Sequence, residues 1–380
     1  MNRILTTHVG SLPRNDELSD LLIRREEGGA VDKDGLARAM DRAVEDVVRR
    51  QSAAGIDIGN DGEQQRVAFS TFVVQRMSGF AGESKRRRSR DYEEFPELVE
   101  VLTQRFPKRS RMQNAPEAQT ELRYLGTAPI LEEIARLTRA VKSAGAFKDC
   151  FMTAPSPGIV STTMLNAHYD SHESYLMALA RELRKEYMAI YEAGFLVQID
   201  SPDLAMDRAM FYRDVTDAQF VAAIEIHIAA INKAIEGIPP NRVRLHVCWG
   251  NWDGPHTFDV PLDLILPVLY KANVGALSIE FANPRHQHEY AAIRRHRFPD
   301  HMVLIPGCVE TTSNIVEHPE VVARRIEEAV SAVGDPARVI AGADCGFGTF
   351  TRREWVIEPA VWLKLKALRE GADLASSRLG

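Results

Sequence analysis

Apolar positions along this chain alternate between two patterns. Short, continuous apolar runs occur at residues 4–9, 56–60, 150–153, 196–199, Val243–Val247, 276–281, 303–308 and 339–343. Runs of this length suit parallel strands buried on both faces. Longer stretches lie between them, at 34–53, 130–143, 171–193, 217–235, 262–272, 318–333 and 354–369. Within one of them, Leu176, Leu179, Leu183, Tyr187 and Ile190 recur three to four apart, the period of a single helical face. Asp217 and Pro319 stand near plausible helix starts. Eight strands with intervening helices predict an α/β fold, a (β/α)8 TIM barrel formed as one domain by residues 1–380. The runner-up is an open doubly wound sheet. No Gly-x-Gly-x-x-Gly follows the first strand, which weakens the dinucleotide-binding form of that alternative.

One stretch breaks the rhythm. Residues 82–126 carry Lys85-Arg86-Arg87-Arg88, then Glu93-Glu94, then Lys108, Arg109 and Arg111. They are expected to form an insertion after the second strand, with a short hairpin near 121–125. The basic run is expected to be a solvated loop, with the grip of an anionic substrate or a nucleic acid as the sharper reading.

Composition narrows the function. A net charge of -6 argues against a general nucleic-acid binder, which needs a basic face. No apolar run approaches the roughly 18 residues of a membrane span. The opening residues lack the apolar core of a signal peptide. A cytoplasmic protein with no membrane partner is therefore expected, its state of homo-oligomerisation left open. Its 4 cysteines are too dispersed for a disulfide framework, so they are available for metal or catalysis.

Polar residues gather where the predicted strands stop. His8, Gly10 and Ser11 follow the first, Asp61 and Glu63 the second, Thr153 the third and Asp200 the fourth. His246 and Cys248 end the fifth, Glu280 the sixth, Glu310 the seventh, and Asp344 and Cys345 the eighth. In a barrel those ends share one face, the face that carries active sites, which favours an enzyme over a binding module. His246 and Cys248 are two apart, hence on one side of an extended chain. Glu280 and Cys345 can converge on them from other strands. A carboxylate inside Leu277-Ser278-Ile279-Glu280-Phe281 is costly to bury without a cation, a proton or an opening. Cys with His and carboxylate indicates Zn²⁺. Cys308 and Cys150 are expected to be packing residues.

His246-x-Cys248, Ser278-Ile279-Glu280 and Asp344-Cys345-Gly346 resemble the catalytic half of cobalamin-independent methionine synthase. Thr6-Thr7-His8-Val9-Gly10-Ser11-Leu12-Pro13, Asp61-Gly62-Glu63 and Gln198-Ile199-Asp200-x-Pro202 look like its other motifs, in the same order. The resemblance implies the (β/α)8 barrel, zinc on His246, Cys248, Glu280 and Cys345, and homocysteine held by Ser11 at its carboxylate and by Glu63 and Asp200 at its amino group. The sequence departs from the full-length enzymes in three ways. They carry a further N-terminal barrel for which this length leaves no room. Thr312 stands where they have a histidine, and Ser201 where they have a glutamate. These departures count against methyltetrahydrofolate as the donor. Cys248-Trp249-Gly250-Asn251-Trp252-x-Gly254-Pro255-His256 and Ala282-Asn283-Pro284-Arg285-His286 look more like the short branch that includes the epoxyalkane:coenzyme M transferases. There Arg285, Arg14 or the basic run would pair with a sulfonate. Two retained carboxylates suit an ammonium better.

The expected function is thus zinc-dependent alkylation of a small thiol by an alkyl donor, led by methyl transfer to homocysteine. Thiol addition to an epoxide is the close alternative. A zinc hydrolase ranks lower, because two thiolates and a carboxylate make the metal a poor activator of water. His8, His256 and Glu310 are the candidate proton donors to the leaving group.

Overall fold

The computed structural model describes residues 3–107, 115–145 and 147–380. All eight apolar runs form strands: β1 (Leu5–Thr6), β2 (Ile58–Gly59), β5 (Asp149–Pro155), β6 (Leu196–Asp200), β7 (Val243–Val247), β8 (Ala276–Ile279), β9 (Val303–Val309) and β10 (Ile340–Ala343). An antiparallel pair, β3 (Met77–Ala81) and β4 (Glu117–Tyr124), stands apart from them. The eight lie side by side in the order β1-β10-β9-β8-β7-β6-β5-β2. A parallel bridge between Thr7 and Ile58 brings the two end strands together. The result is an α/β fold with a curled parallel sheet, compatible with a TIM-like barrel. No described helix is long and apolar enough to cross a membrane.

β1 and β2 are shorter than their apolar runs. Past Thr7 the chain leaves the sheet to enter the centre of the molecule. Gly10 there has φ +141°, and a Cβ on it would stand 2.6 Å from Thr153 Cγ2 and 2.9 Å from Glu63 Oε1. Only glycine allows that approach. Asp57 closes the seam beside it, accepting from Thr6 N at 3.0 Å and pairing with Arg369 at 3.0 Å.

The helices follow their periodicity, with adjustments at the ends. His172–Glu192 buries Leu176, Leu179, Leu183, Tyr187 and Ile190 as expected. Asp217–Ala234 starts one residue after its cap, Thr216, which forms a capping box with Gln219. The last helix is Glu358–Leu379, later than 354–369, because Pro359 suits its first turn.

The excursion after β2 is built differently from expectation. Residues 121–125 form no local hairpin; β4 instead pairs with β3 about forty residues upstream, so the departure begins before residue 82. Two short helices, Arg90–Glu94 and Pro96–Arg105, lie between the two strands. Lys108, Arg109 and Arg111 lie outside the described residues.

A buried ionic cluster fastens this excursion to the sheet. Glu133 takes Arg66 at 2.8 Å and Arg76 at 2.5 Å, and Glu186 takes Arg76 at 2.7 Å. Both guanidinium groups also lie over Phe72. Burial alone would raise the Glu133 carboxyl, yet the two arginines hold it below the ordinary carboxylate range. Removing one partner of a buried pair leaves an uncompensated charge, which costs about 3–5 kcal/mol. Glu133→Ala is therefore expected to lower unfolding stability by about that amount in urea titrations. A loss below about 1 kcal/mol would show the cluster to be incidental.

Candidate active site

β7 ends in a fully buried register, with His246 opposite Ser278 of β8. His246 and Cys248 sit two apart and face the same way, as strand parity requires. Cys345 follows β10 from the far side of the sheet order. The donor atoms of His246, Cys248 and Cys345 all lie within 4.8 Å of one another. The two sulfurs are 4.0 Å apart. Two sulfurs bound to a tetrahedral Zn²⁺ at about 2.3 Å stand about 3.8 Å apart, so the spacing fits.

The state of these groups points the same way. Neither ring nitrogen of His246 makes a hydrogen bond of ordinary geometry. Burial and the nearby Arg244 charge lower its pKa to about 3, leaving a neutral ring with a free lone pair. The Cys248 thiol is pushed well above its usual range by its contact with Cys345 and by burial. A buried imidazole and two thiols without adequate partners are groups that a cation would satisfy.

Glu280 stands beside this trio and not within its 4.8 Å group. Its Oε2 accepts from Asn283 Nδ2 at 2.9 Å. Burial raises the carboxyl well above its ordinary value, and the charges of Cys248 and Asp344 raise it further. Asp344 fixes the turn that carries Glu280. It accepts from the backbone N–H groups of Phe281, Ala282 and Asn283 at 2.9, 2.8 and 2.7 Å. Gly307 makes room for it, since a Cβ there would lie 1.9 Å from Asp344 Oδ1.

Ser11, Glu63 and Asp200 line the same cavity as His246, Cys248 and Cys345. Glu63 has φ +54°, a turn conformation that aims its carboxylate inward. Its Oε1 accepts from Thr153 Oγ1 at 2.8 Å, and its Oε2 has no hydrogen-bond partner. Asp200 Oδ1 accepts from Gln198 Nε2 at 2.7 Å. Burial, then the Glu63 charge, raises Asp200 well above the usual range. Burial raises Glu63 too, against the pull of Arg66 and Arg14. Two lifted carboxylates facing one space suit a cationic ligand. Ser11 Oγ approaches Gly346 so closely that a Cβ there would lie 2.0 Å away.

None of the three expected proton donors lines the cavity that holds His246, Cys248 and Cys345. His8 is absent from the cavity wall: its Nε2 meets Gln51 Oε1 at 2.8 Å and its Nδ1 accepts from Gly10 N at 3.2 Å. Burial lowers its pKa to about 4, so it serves as a neutral packing group. His256 and Glu310 line a neighbouring groove, which Glu280 lines too. The His256 ring stacks on Trp252 and bonds Asp259 Oδ2 at 2.9 Å and the Trp252 carbonyl at 3.0 Å. Burial opposes its charge, but Asp259 outweighs that and keeps the pKa above its ordinary value. Glu310 uses its oxygens to accept from Thr312 N at 2.7 Å and Ser313 N at 2.8 Å. A strand-end position does not reveal which atoms of a side chain are already engaged.

The candidate sulfonate partners also separate. Arg14 donates to the carbonyls of Gly348 and Glu63, both at 2.7 Å, and is structural. Arg285 lines the neighbouring groove. Arg86 lines the cavity, so the solvated-loop expectation fails for this member of the basic run. It stands 3.7 Å from Asp207, a residue not singled out from sequence. A run of four cations shows no periodicity that marks which one turns inward.

Comparison with known proteins places these observations in a family. The methionine synthase of Sulfurisphaera tokodaii is 23% identical over 349 residues, covering 92% of this chain and 87% of that protein. That of Thermococcus kodakarensis is 25% identical over 349 residues, covering 92% and 88%. Among solved structures, the B12-independent methionine synthase of Shewanella sp. W3-18-1 in complex with selenomethionine superposes with a TM-score of 0.72 at 21% identity, covering 100% of this chain and 99% of that one. Residues 4–102 and 138–369 match the family described as cobalamin-independent synthase, catalytic domain, and the chain belongs to that family.

Proposed function

We propose that this protein is a zinc-dependent methyltransferase that methylates homocysteine, working from the open face of a complete (β/α)8 barrel. The observation that carries the reading is one cavity holding both the His246, Cys248 and Cys345 donors and the Ser11, Glu63 and Asp200 polar groups. His246, Cys248 and Cys345 would hold the metal, with Glu280 the fourth and displaceable ligand. When bound, Zn²⁺ supplies the positive charge that lets a substrate –SH persist as a thiolate near neutral pH. Glu63 and Asp200 bind the ammonium of the amino acid, and Ser11 bonds its carboxylate. That clamp holds the substrate sulfur over the metal ligands and aligned for attack on the donor carbon. The apolar wall from Phe69, Met206, Met210 and Trp252 keeps water from the sulfur. The two carboxylates favour an amino thiol over the sulfonate thiol of an epoxyalkane:coenzyme M transferase.

Zinc content and thiol entry test the metal. Protein purified without chelators should hold about one zinc per chain, and Cys248→Ser or Cys345→Ser should lose it. Zinc-edge X-ray absorption should show two sulfurs, rising to three with homocysteine. An unchanged sulfur count, or full zinc in both variants, would overturn the assignment.

The amino-group clamp is tested separately. Glu63→Gln and Asp200→Asn should each weaken homocysteine binding about tenfold or more, on the scale of a lost charge-assisted bond. A thiol lacking the amine should bind the variants and the parent alike. Equal weakening for both thiols would remove the ammonium role.

A further inference from the structure

Glu280 is held by one neighbour, and the proposed reaction as stated gives that neighbour no part. Among the described residues no cation pairs with the Glu280 carboxylate, and its single hydrogen bond comes from Asn283 Nδ2 at 2.9 Å. Both residues line the groove beside the sulfur cavity, and neither lines the cavity itself. A thiol in the cavity and the Glu280 carboxylate therefore approach the His246, Cys248 and Cys345 trio from different sides.

The Asn283 amide has one orientation and one place. Its Oδ1 accepts from Arg285 N at 3.0 Å and from His286 N at 3.1 Å, which leaves the Nδ2 hydrogens to point at Glu280. A flipped amide would set its N–H groups against two backbone donors. The backbone is fixed as well. Asn283 N donates to Asp344 Oδ2 at 2.7 Å, and the Asn283 carbonyl accepts from His286 N at 3.2 Å and Gln287 N at 3.1 Å. Asn283 thus cannot follow the carboxylate when it moves. Glu280 lies outside the 4.8 Å group of the trio, so coordination takes its carboxylate toward the sulfurs and away from this amide. A neutral donor suits such an exchange. A guanidinium or ammonium would hold the carboxylate more firmly, because hydrogen bonds between two charged groups are the stronger kind.

We infer that Asn283 is a positioning residue that competes with the metal for Glu280: its amide receives the carboxylate when substrate sulfur takes that coordination position, and so sets how readily any thiol enters. The inference rests on the metal and thiol roles of the proposed function and adds the residue that tunes their exchange.

The test uses zinc-loaded protein and two variants that keep the turn. Asn283→Asp retains both backbone acceptances and replaces the donor by an oxygen. Asn283→Ser keeps a short acceptor for the turn and falls short of Glu280. Zinc-edge X-ray absorption reads the third sulfur as homocysteine is added and, separately, as 4-mercaptobutyrate, the same thiol acid without the amine, is added. Both variants should need roughly tenfold more of either thiol than the parent, the scale of one lost hydrogen bond to a charged group. The equal effect on both thiols separates Asn283 from the ammonium clamp, whose loss acts on homocysteine alone. Release of zinc to excess EDTA should be several-fold slower in both variants, because Glu280 then stays with the metal. A merely supporting role for Asn283 would have the opposite sign, since losing a partner that orients a metal ligand weakens metal binding. Faster or unchanged release, or thiol entry at the parent's concentration, would overturn the inference. A parent that gains no third sulfur, with release still slower in the variants, would instead overturn the proposed thiol reaction and leave the competition for Glu280 standing.

Discussion

Two thiols, one imidazole and two carboxylates share a buried space at the ends of parallel strands, and the protein's own atoms leave several of their polar atoms unsatisfied. That shortage of partners is the constraint from which the site follows. Buried polar groups are nearly always bonded, yet neither ring nitrogen of His246 makes a hydrogen bond of ordinary geometry and Glu63 has an oxygen without a partner. Such groups persist only where a ligand completes them or where the surrounding frame holds them against their preference. The two needs differ in kind. The sulfur–imidazole trio calls for a small cation with sulfur affinity. Glu63 and Asp200, which line the same cavity, call for a cation that hydrogen-bonds to oxygen.

The frame that imposes this is ionic as well as apolar. Arg66 joins Glu133 and also donates to the Thr153 carbonyl at 2.8 Å, and Thr153 in turn donates to Glu63. The same cluster that pins the excursion to the sheet therefore reaches the Glu63 carboxylate through Thr153. On the opposite side, Asp344 holds the Glu280 turn by three backbone N–H groups, and Asn251 ties the loop after β7 to the Gly346 carbonyl at 2.7 Å. Each ligand-bearing loop is thereby held by a side chain from a different strand. Precise placement of this kind is what positional catalysis needs.

Much of this was legible in the chain, for identifiable reasons. A strand covered on both faces must be apolar throughout, so all eight parallel strands announce themselves locally. Strand parity then sets His246 and Cys248 on one side without any tertiary knowledge. The β3–β4 pair was misplaced because its hydrogen bonds join segments about forty residues apart, and no local pattern encodes that partnership. His8, His256 and Glu310 were named as proton donors from their position alone. Their engagement by Gln51, Asp259 and the Thr312–Ser313 backbone depends on distant or folded geometry.

The basic run shows the same limit from the other direction. By composition it is a solvated loop, and for Arg87, paired at the surface with Asp214, that description holds. Arg86 differs because neighbours on both sides are tied to the body of the protein, which turns one residue of the run inward. Once inward, its guanidinium contributes to two pockets at once. A cation between the two pockets is electrostatically linked to both: it offsets the carboxylates around the sulfur cavity and adds to the positive field outside. Negative groups therefore dominate on the inner side and positive groups on the outer side.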